Sequence, residues 1–333
     1  MSHSACVDQF GRRISYLRLS VTDRCNLACD YCSMERREFL PRSNILSYEE
    51  SLELIAAARQ FGVDKVRLTG GEPFARRDFL DFLSRIMERF PDIDLRLTTN
   101  GTLIADKMRQ LRDVGLNRLN ISLDTLDRQR YARLCGRDLF PEVWKSVLNG
   151  LQEGIRIKIN VVAMRGVNDD ELPSFLDLAR RYPLDVRFIE FMPLSGNSSW
   201  ERSRVWSAGE ILAEAGEYAH LTPVARRDAN SGPARMYELD SGHGRLGVIS
   251  PLTEHFCASC NRLRITSDGK LRTCLFSDRE YRLLPILRSE KLGREALLRV
   301  LCQAARRKPL GHEILHQKTV ADCGGRNMSA IGG

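Results

Sequence analysis

Cys25-Asn26-Leu27-Ala28-Cys29-Asp30-Tyr31-Cys32 follows directly on residues 14–21, an apolar, β-branched run that reads as a strand. Three thiols with C-x3-C-x2-C spacing therefore sit in a loop at a strand's C-terminal end. α/β barrels carry their chemistry at that end. Three thiolates so close in sequence can hold three corners of an iron–sulfur cube, which leaves one iron without a protein ligand. An open metal position is where a substrate or cofactor binds. The competing reading is a structural zinc site completed by a distant residue, although zinc ribbons favour C-x2-C pairs and four protein ligands.

Outward from that loop, strand patterns at 65–69, 93–98, 118–123, 156–163 and 185–191 alternate with helical patterns at 48–60, 78–89, 104–114, 141–153 and 170–181. Ser47 with Glu50 forms a capping box opening the first helix. Strands alternating with helices of this length indicate βαβ units and a parallel sheet. Six strands favour a partial barrel over a complete eight-stranded one, with an open doubly wound sheet as the rival. After residue 194 the rhythm changes. Residues 195–204 are polar, 226–233 read as a loop, and 235–239, 245–250, 263–266 and 271–275 read as short antiparallel strands. A helix at 295–306 precedes a Gly-rich end. The expected division is a core over 1–194 and an extension over 195–333.

The 333 residues are 43% hydrophobic and 28% charged, an ordinary globular composition. No run approaches the ~18 apolar residues of a membrane helix. The first residues lack the apolar stretch of a secretion signal, so a cytoplasmic protein is expected. Net charge is +8, which suits an anionic partner. The doublets Arg76-Arg77 and Arg226-Arg227 and the run Arg306-Arg307-Lys308 read as solvated surface. Ten cysteines in a reducing compartment point to metal or catalysis rather than disulfides. Cys6, Cys135, Cys302 and Cys323 stand alone and read as small apolar residues. The remaining three, Cys257, Cys260 and Cys274, have C-x2-C-x13-C spacing. That pattern is either half a zinc ribbon, with His255 or a free cysteine as a fourth ligand, or a second open-cornered cluster.

The C-x3-C-x-Tyr-C loop, together with Gly70-Gly71-Glu72-Pro73 after the second strand, resembles the radical S-adenosylmethionine (SAM) superfamily. Phe256-Cys257-Ala258-Ser259-Cys260-Asn261-Arg262-Leu263-Arg264, continued by Cys274-Leu275-Phe276 and a terminal Gly332-Gly333, narrows the resemblance to the GTP 3′,8-cyclase family. It extends from Arg18 to Gly333. The implied fold is α/β, a partial (βα)6 TIM-like barrel with a C-terminal, mainly antiparallel β extension carrying a second Fe–S cluster. The implied cofactors are two [4Fe–4S] clusters and SAM.

The implied reaction, a lyase step, opens molybdenum cofactor biosynthesis. A 5′-deoxyadenosyl radical removes hydrogen from ribose C3′ of GTP, and the C3′ radical attacks guanine C8, giving (8S)-3′,8-cyclo-7,8-dihydroguanosine 5′-triphosphate. By the same resemblance Cys25, Cys29 and Cys32 hold the SAM-cleaving cluster, and Cys257, Cys260 and Cys274 the second. Tyr31, Gly71, Glu72, Ser122 and Met192 contact SAM; Arg18, Arg67, Thr98, Lys158, Arg262, Leu263 and Arg264 contact GTP; Gly332 and Gly333 form a tail reaching the active site. Implied partners are a flavodoxin- or ferredoxin-type reductant and the downstream cyclic pyranopterin monophosphate synthase. No nucleic acid or membrane is expected, and the oligomeric state stays open, a homodimer included. Two alternatives remain: another radical SAM enzyme with an auxiliary cluster, and a zinc-stabilised nucleic-acid-binding protein.

Overall fold

The computed structural model describes residues 6–32, 39–194, 200–225, 232–317 and 331. The core strands are β1 (Tyr16–Ser20), β2 (Lys65–Thr69), β3 (Asp94–Thr99), β4 (Arg118–Ser122), β5 (Arg156–Ala163) and β6 (Asp185–Glu190). Each pairs in parallel with its neighbour in sequence. The helices among them are α1 (Tyr48–Gln60), α2 (Phe79–Arg89), α3 (Met108–Asp113), α4 (Arg128–Cys135), α5 (Phe140–Gln152) and α6 (Leu172–Arg181). The capping box of α1 forms: Glu50 N donates to Ser47 Oγ at 3.1 Å, and Ser47 N donates to the Glu50 carboxylate at 2.7 Å. The expected helix at 104–114 is instead a 3-10 turn, Ala105–Lys107, followed by α3. Helix α4 was not expected, because its Arg-rich sequence offers only Tyr131, Leu134 and Cys135 to the core.

Burial along β5 shows how the barrel is built. Ile157, Ile159, Val161 and Ala163 are fully buried, whereas Lys158, Asn160 and Val162 alternate with them and line a cavity. Each of the Ile and Val side chains contributes roughly 1.5–3 kcal/mol on burial. The opposite face of the strand carries Lys158 and Asn160 beside Val162, so the interior is a chamber rather than a packed core.

The extension adds β7 (Leu221–Val224), β8 (Arg235–Leu239), β9 (Arg245–Ile249), β10 (Arg262–Ile265), β11 (Lys270–Arg272) and β12 (Tyr281–Arg282). Its helices are α7 (Ala208–Tyr218), α8 (Leu284–Leu287), α9 (Gly293–Arg306) and α10 (Gly311–Gln317). Helix α7 opens with a second capping box, Ser207 with Glu210. The strands flank both edges of the core in one sheet, β12-β11-β10-β1-β2-β3-β4-β5-β6-β9-β8-β7.

The antiparallel expectation holds for β7–β8, β8–β9, β10–β11 and β11–β12. It fails at the two joins to the core, where β9 runs parallel to β6 and β10 parallel to β1. The chain reverses twice between β7 and β9, and two reversals restore the original direction. Eight parallel strands result, and the segment from β9 to β10 crosses from one edge of the core to the other.

Among the described residues no helix is long and apolar enough to cross a membrane.

Candidate active site

A cavity of about 1610 Å³ is lined by residues from β1 through β6 and from β8, β9 and β10. Ordinary ligand pockets span roughly 300–1,000 Å³, so this one has room for more than one ligand. Lining from both ends of the parallel row means that the sheet wraps around the chamber.

The two cysteine triplets stand at opposite ends of it. Cys25, Cys29 and Cys32 follow the C-terminal end of β1. Cys257 and Cys260 precede the N-terminal end of β10, which lies beside β1 with Tyr16 opposite Arg262. Cys274 follows β11, antiparallel to β10, and so returns to that same end. All six line the chamber. Five to six residues of strand at ~3.3 Å each put roughly 17–20 Å between the ends.

The first loop is tied down from four sides. Glu72 N donates to Arg24 O at 2.7 Å, Ala28 N to Cys135 O at 2.9 Å and Asp30 N to Leu134 O at 3.1 Å. Tyr31 donates its hydroxyl to Asp124 at 2.5 Å. Asn100 Nδ2 donates to Cys25 Sγ at 3.7 Å and to Asn26 Oδ1 at 2.9 Å. Gly71 lies under this loop: a Cβ there would sit 2.2 Å from Arg24 O and 2.9 Å from Cys25 N. Glycine is required by contact with the cysteine loop itself.

Glu72 stands behind the chamber wall, fully buried. Its carboxylate accepts from Thr99 Oγ1 (2.8 and 2.9 Å), Asn100 N (2.7 Å) and Phe74 N (3.1 Å). Burial raises its pKa to about 7, against the pull of these donors. The carboxylate braces the turn after β2 against the turn after β3. Glu72→Ala would strand buried donors at ~1–3 kcal/mol each, so chemical denaturation should show a loss of about 3 kcal/mol or more. An unchanged midpoint would overturn the brace.

Between the triplets runs a row of cations set by strand register. Arg264, Arg18 and Arg67 are direct neighbours on β10, β1 and β2, and Arg96 follows on β3. Adjacent strands are ~4.8 Å apart, which suits a chain of phosphates. Burial, reinforced by the charge of Arg264, pushes Arg18 well below the ordinary guanidinium value. Burial and Arg262 bring Arg264 down to about 10; burial and Arg67 do the same for Arg187. Burial lowers Lys158 to about 8, although Asp185 at 2.9 Å opposes the shift. Burial alone would raise Tyr16, but Arg67 and Arg18 outweigh it and bring the phenol to about 8. Arg67 Nε donates to the Tyr16 hydroxyl at 2.5 Å, and its guanidinium reaches Thr98 Oγ1 at 3.2 Å. Like charges held together in low dielectric favour an arriving polyanion.

Ser122, Met192, Thr98, Lys158, Arg262 and Arg264 all line the chamber, as do Tyr31 and Gly71. Leu263 does not: strand alternation turns it into the apolar core, fully buried. Gly332, Gly333 and Cys323 lie outside the described residues. Arg187, Tyr16 and Lys308 line the chamber and were missed. In β6 nearly every residue is buried, so no alternation marks which face Arg187 takes. Gly247, paired with Arg187, makes room for it; a Cβ there would lie 2.9 Å from the Arg187 Cγ. Lys308, read as solvated surface, is 2% exposed.

At the second triplet, burial would raise the Cys260 thiol, but Arg262 and Lys308 outweigh it and hold it at about 6. It is a thiolate at neutral pH, the form that ligates metal. The sulfurs of Cys257 and Cys274 both approach Gly311, where a Cβ would lie 3.6 and 2.9 Å from them. Burial raises the thiols of Cys257 and Cys25 instead. Among the described residues no three His, Cys, Asp or Glu side chains are grouped so as to hold a single metal ion; the cysteines are soft donors of the kind that bind iron–sulfur clusters.

The family described as the Radical SAM superfamily matches residues 19–179, and that described as Molybdenum Cofactor Synthesis C matches residues 184–314. The fold is also similar to that of Streptococcus suis SuiB bound to S-adenosylmethionine, with a TM-score of 0.61, 16% identity and coverage of 95% of this chain and 73% of that one. Fold and cysteine loop thus define a radical SAM protein. Among relatives, the GTP 3′,8-cyclase of Syntrophomonas wolfei is 42% identical over 92% of this chain and 94% of its own. That of Erythrobacter litoralis is 41% identical, and GTP 3′,8-cyclase 2 of Pseudomonas aeruginosa 40%, each over the full length of both chains. The chain belongs to the GTP 3′,8-cyclase family, radical SAM enzymes that act on GTP in molybdenum cofactor biosynthesis.

Proposed function

We propose that the chamber works as a two-ended reactor. Cys25, Cys29 and Cys32 hold the [4Fe–4S] cluster that engages SAM; Cys257, Cys260 and Cys274 hold a second one that anchors guanine; the arginine row takes the triphosphate. When bound, the first cluster with SAM would supply the radical chemistry at ribose C3′, and the overall reaction is that of a lyase. The observation that carries this reading is the placement of the triplets at opposite ends of one chamber with Arg264, Arg18 and Arg67 in register between them.

The chain's own residues bind, orient and exclude water. Tyr31, fixed by Asp124, Gly71, Ser122 and Met192 form the SAM end. Thr98, Lys158, Arg187 and Arg262 join the row at the GTP end. Leu263 contributes its backbone, since its side chain faces the core, and Glu72 acts through the loops it braces. The reading also includes the division into a 1–194 core and a 195–333 extension, the Gly332-Gly333 tail at the site, a flavodoxin- or ferredoxin-type donor, transfer of product to cyclic pyranopterin monophosphate synthase and a cytoplasmic location.

The test is anaerobic purification and incubation with SAM, reductant and GTP. The protein should carry ~8 irons, four per cluster, and mass analysis should find deoxyadenosine with a GTP isomer. Cys257→Ala should leave ~4 irons, intact SAM cleavage and no GTP isomer. Four protein ligands on zinc at the second triplet would overturn the reading.

A further inference from the structure

Lys308 follows the end of α9, with its N–H donating to Ala305 O at 3.1 Å. It is among the most deeply buried large side chains of the molecule. Its ammonium donates to Thr273 O, one residue before Cys274. Among the described residues no carboxylate forms an ion pair with it. Burial lowers the pKa of its amine; Cys260 and Cys274, which line the same chamber, oppose that shift, and Arg12 and Arg262 reinforce it.

Its backbone is held as firmly. Arg12, buried and paired with Asp8 at 2.5 Å, donates to Lys308 O at 2.8 Å and to Cys257 O at 2.7 Å. One guanidinium therefore joins the Lys308 segment to the second cysteine loop.

A buried ammonium with no carboxylate partner costs several kcal/mol. Such a cost is offset where the site carries negative charge. A cubane with three thiolate ligands is net negative, and gains another negative charge on reduction. Charge near a cluster sets its potential. From this geometry we infer that Lys308 is a positioning residue that tunes the second cluster, stabilising its reduced form and keeping the metal at Cys257, Cys260 and Cys274. The inference rests on that triplet holding a cluster.

The test compares Lys308→Met, close in length but uncharged, with Lys308→Arg. The readouts are iron content, the reduction midpoint of the second cluster by spectroscopic titration, and GTP affinity. Lys308→Met should shift the reduction equilibrium at least tenfold toward the oxidised form, ~59 mV for one electron, while Lys308→Arg stays near wild type. Loss of the second cluster's ~4 irons in Met but not in Arg would equally support a role for charge. An unchanged midpoint in Lys308→Met overturns the inference, even if GTP binding weakens, because Lys308 is then a substrate contact. Equal loss of iron in both variants also overturns it, since packing would then be the cause. Failure of the underlying reading would look different: the wild type itself would hold only ~4 irons.

Discussion

Gly71→Ala is expected to empty the first triplet while sparing the second: iron should fall from ~8 to ~4 per chain, with deoxyadenosine release from SAM reduced at least ~100-fold. The added methyl would overlap Arg24 O at 2.2 Å and its carbonyl carbon at 2.5 Å. Both are backbone atoms, so no rotamer change relieves the clash. Relief requires the turn after β2 and the cysteine loop to part by about 1 Å, and displacements of that size at a reacting centre cost ~10²-fold. The two segments are also joined by hydrogen bonds from Gly71 N to Thr22 O at 2.8 Å and from Glu72 N to Arg24 O at 2.7 Å. Separation breaks them together with the clash. The second triplet, at the other end of the chamber, shares none of these contacts. Full iron content with normal SAM cleavage in Gly71→Ala would show that the loop is not seated on this turn.

The same glycine illustrates what sequence reasoning could reach. Gly70-Gly71-Glu72-Pro73 signals close backbone approach, but one dimension does not reveal what approaches. The structure puts the cysteine loop there, and places Glu72 behind the wall, where its carboxylate is filled by Thr99, Asn100 and Phe74. The core elements were legible because period-2 and period-3.6 patterns and a capping box act locally; β2, β5 and α1 fall on the expected residues. The antiparallel pairs within the extension were legible, but the parallel joins of β9 to β6 and of β10 to β1 were not, because those partners are chosen by tertiary contacts. Buried cations were misread for a related reason. Arg306, Arg307 and Lys308 form one basic run, yet the end of α9 turns only Lys308 inward.

GTP affinity should decline as pH rises past about 8, and Lys158→Met should remove much of that dependence while weakening binding roughly 10–100-fold at neutral pH. The direction follows from the free protein. Lys158 is held at about 8, first by burial and then by Arg187, with Asp185 opposing. A bound triphosphate favours the charged ammonium, so the complex keeps the proton to higher pH than the free protein does. Binding is therefore full below about 8. Above it, binding must take up a proton, and affinity falls by up to about tenfold per pH unit. Tyr16, also near 8, acts in the same direction, since its phenolate places negative charge beside Arg67 and Arg18. Lys158 is a clean site to remove, because Asp185 keeps Arg245 at 2.9 Å and Arg156 at 3.4 Å. The expected loss corresponds to one charge-assisted hydrogen bond, ~1.5–3 kcal/mol. Anaerobic calorimetry in buffers of different ionisation enthalpy would count the protons. Uptake in the wild type above about pH 8, reduced in Lys158→Met to the part that belongs to Tyr16, is the expected result. Proton-independent binding by the wild type would mean that the phosphates rest on the arginines alone.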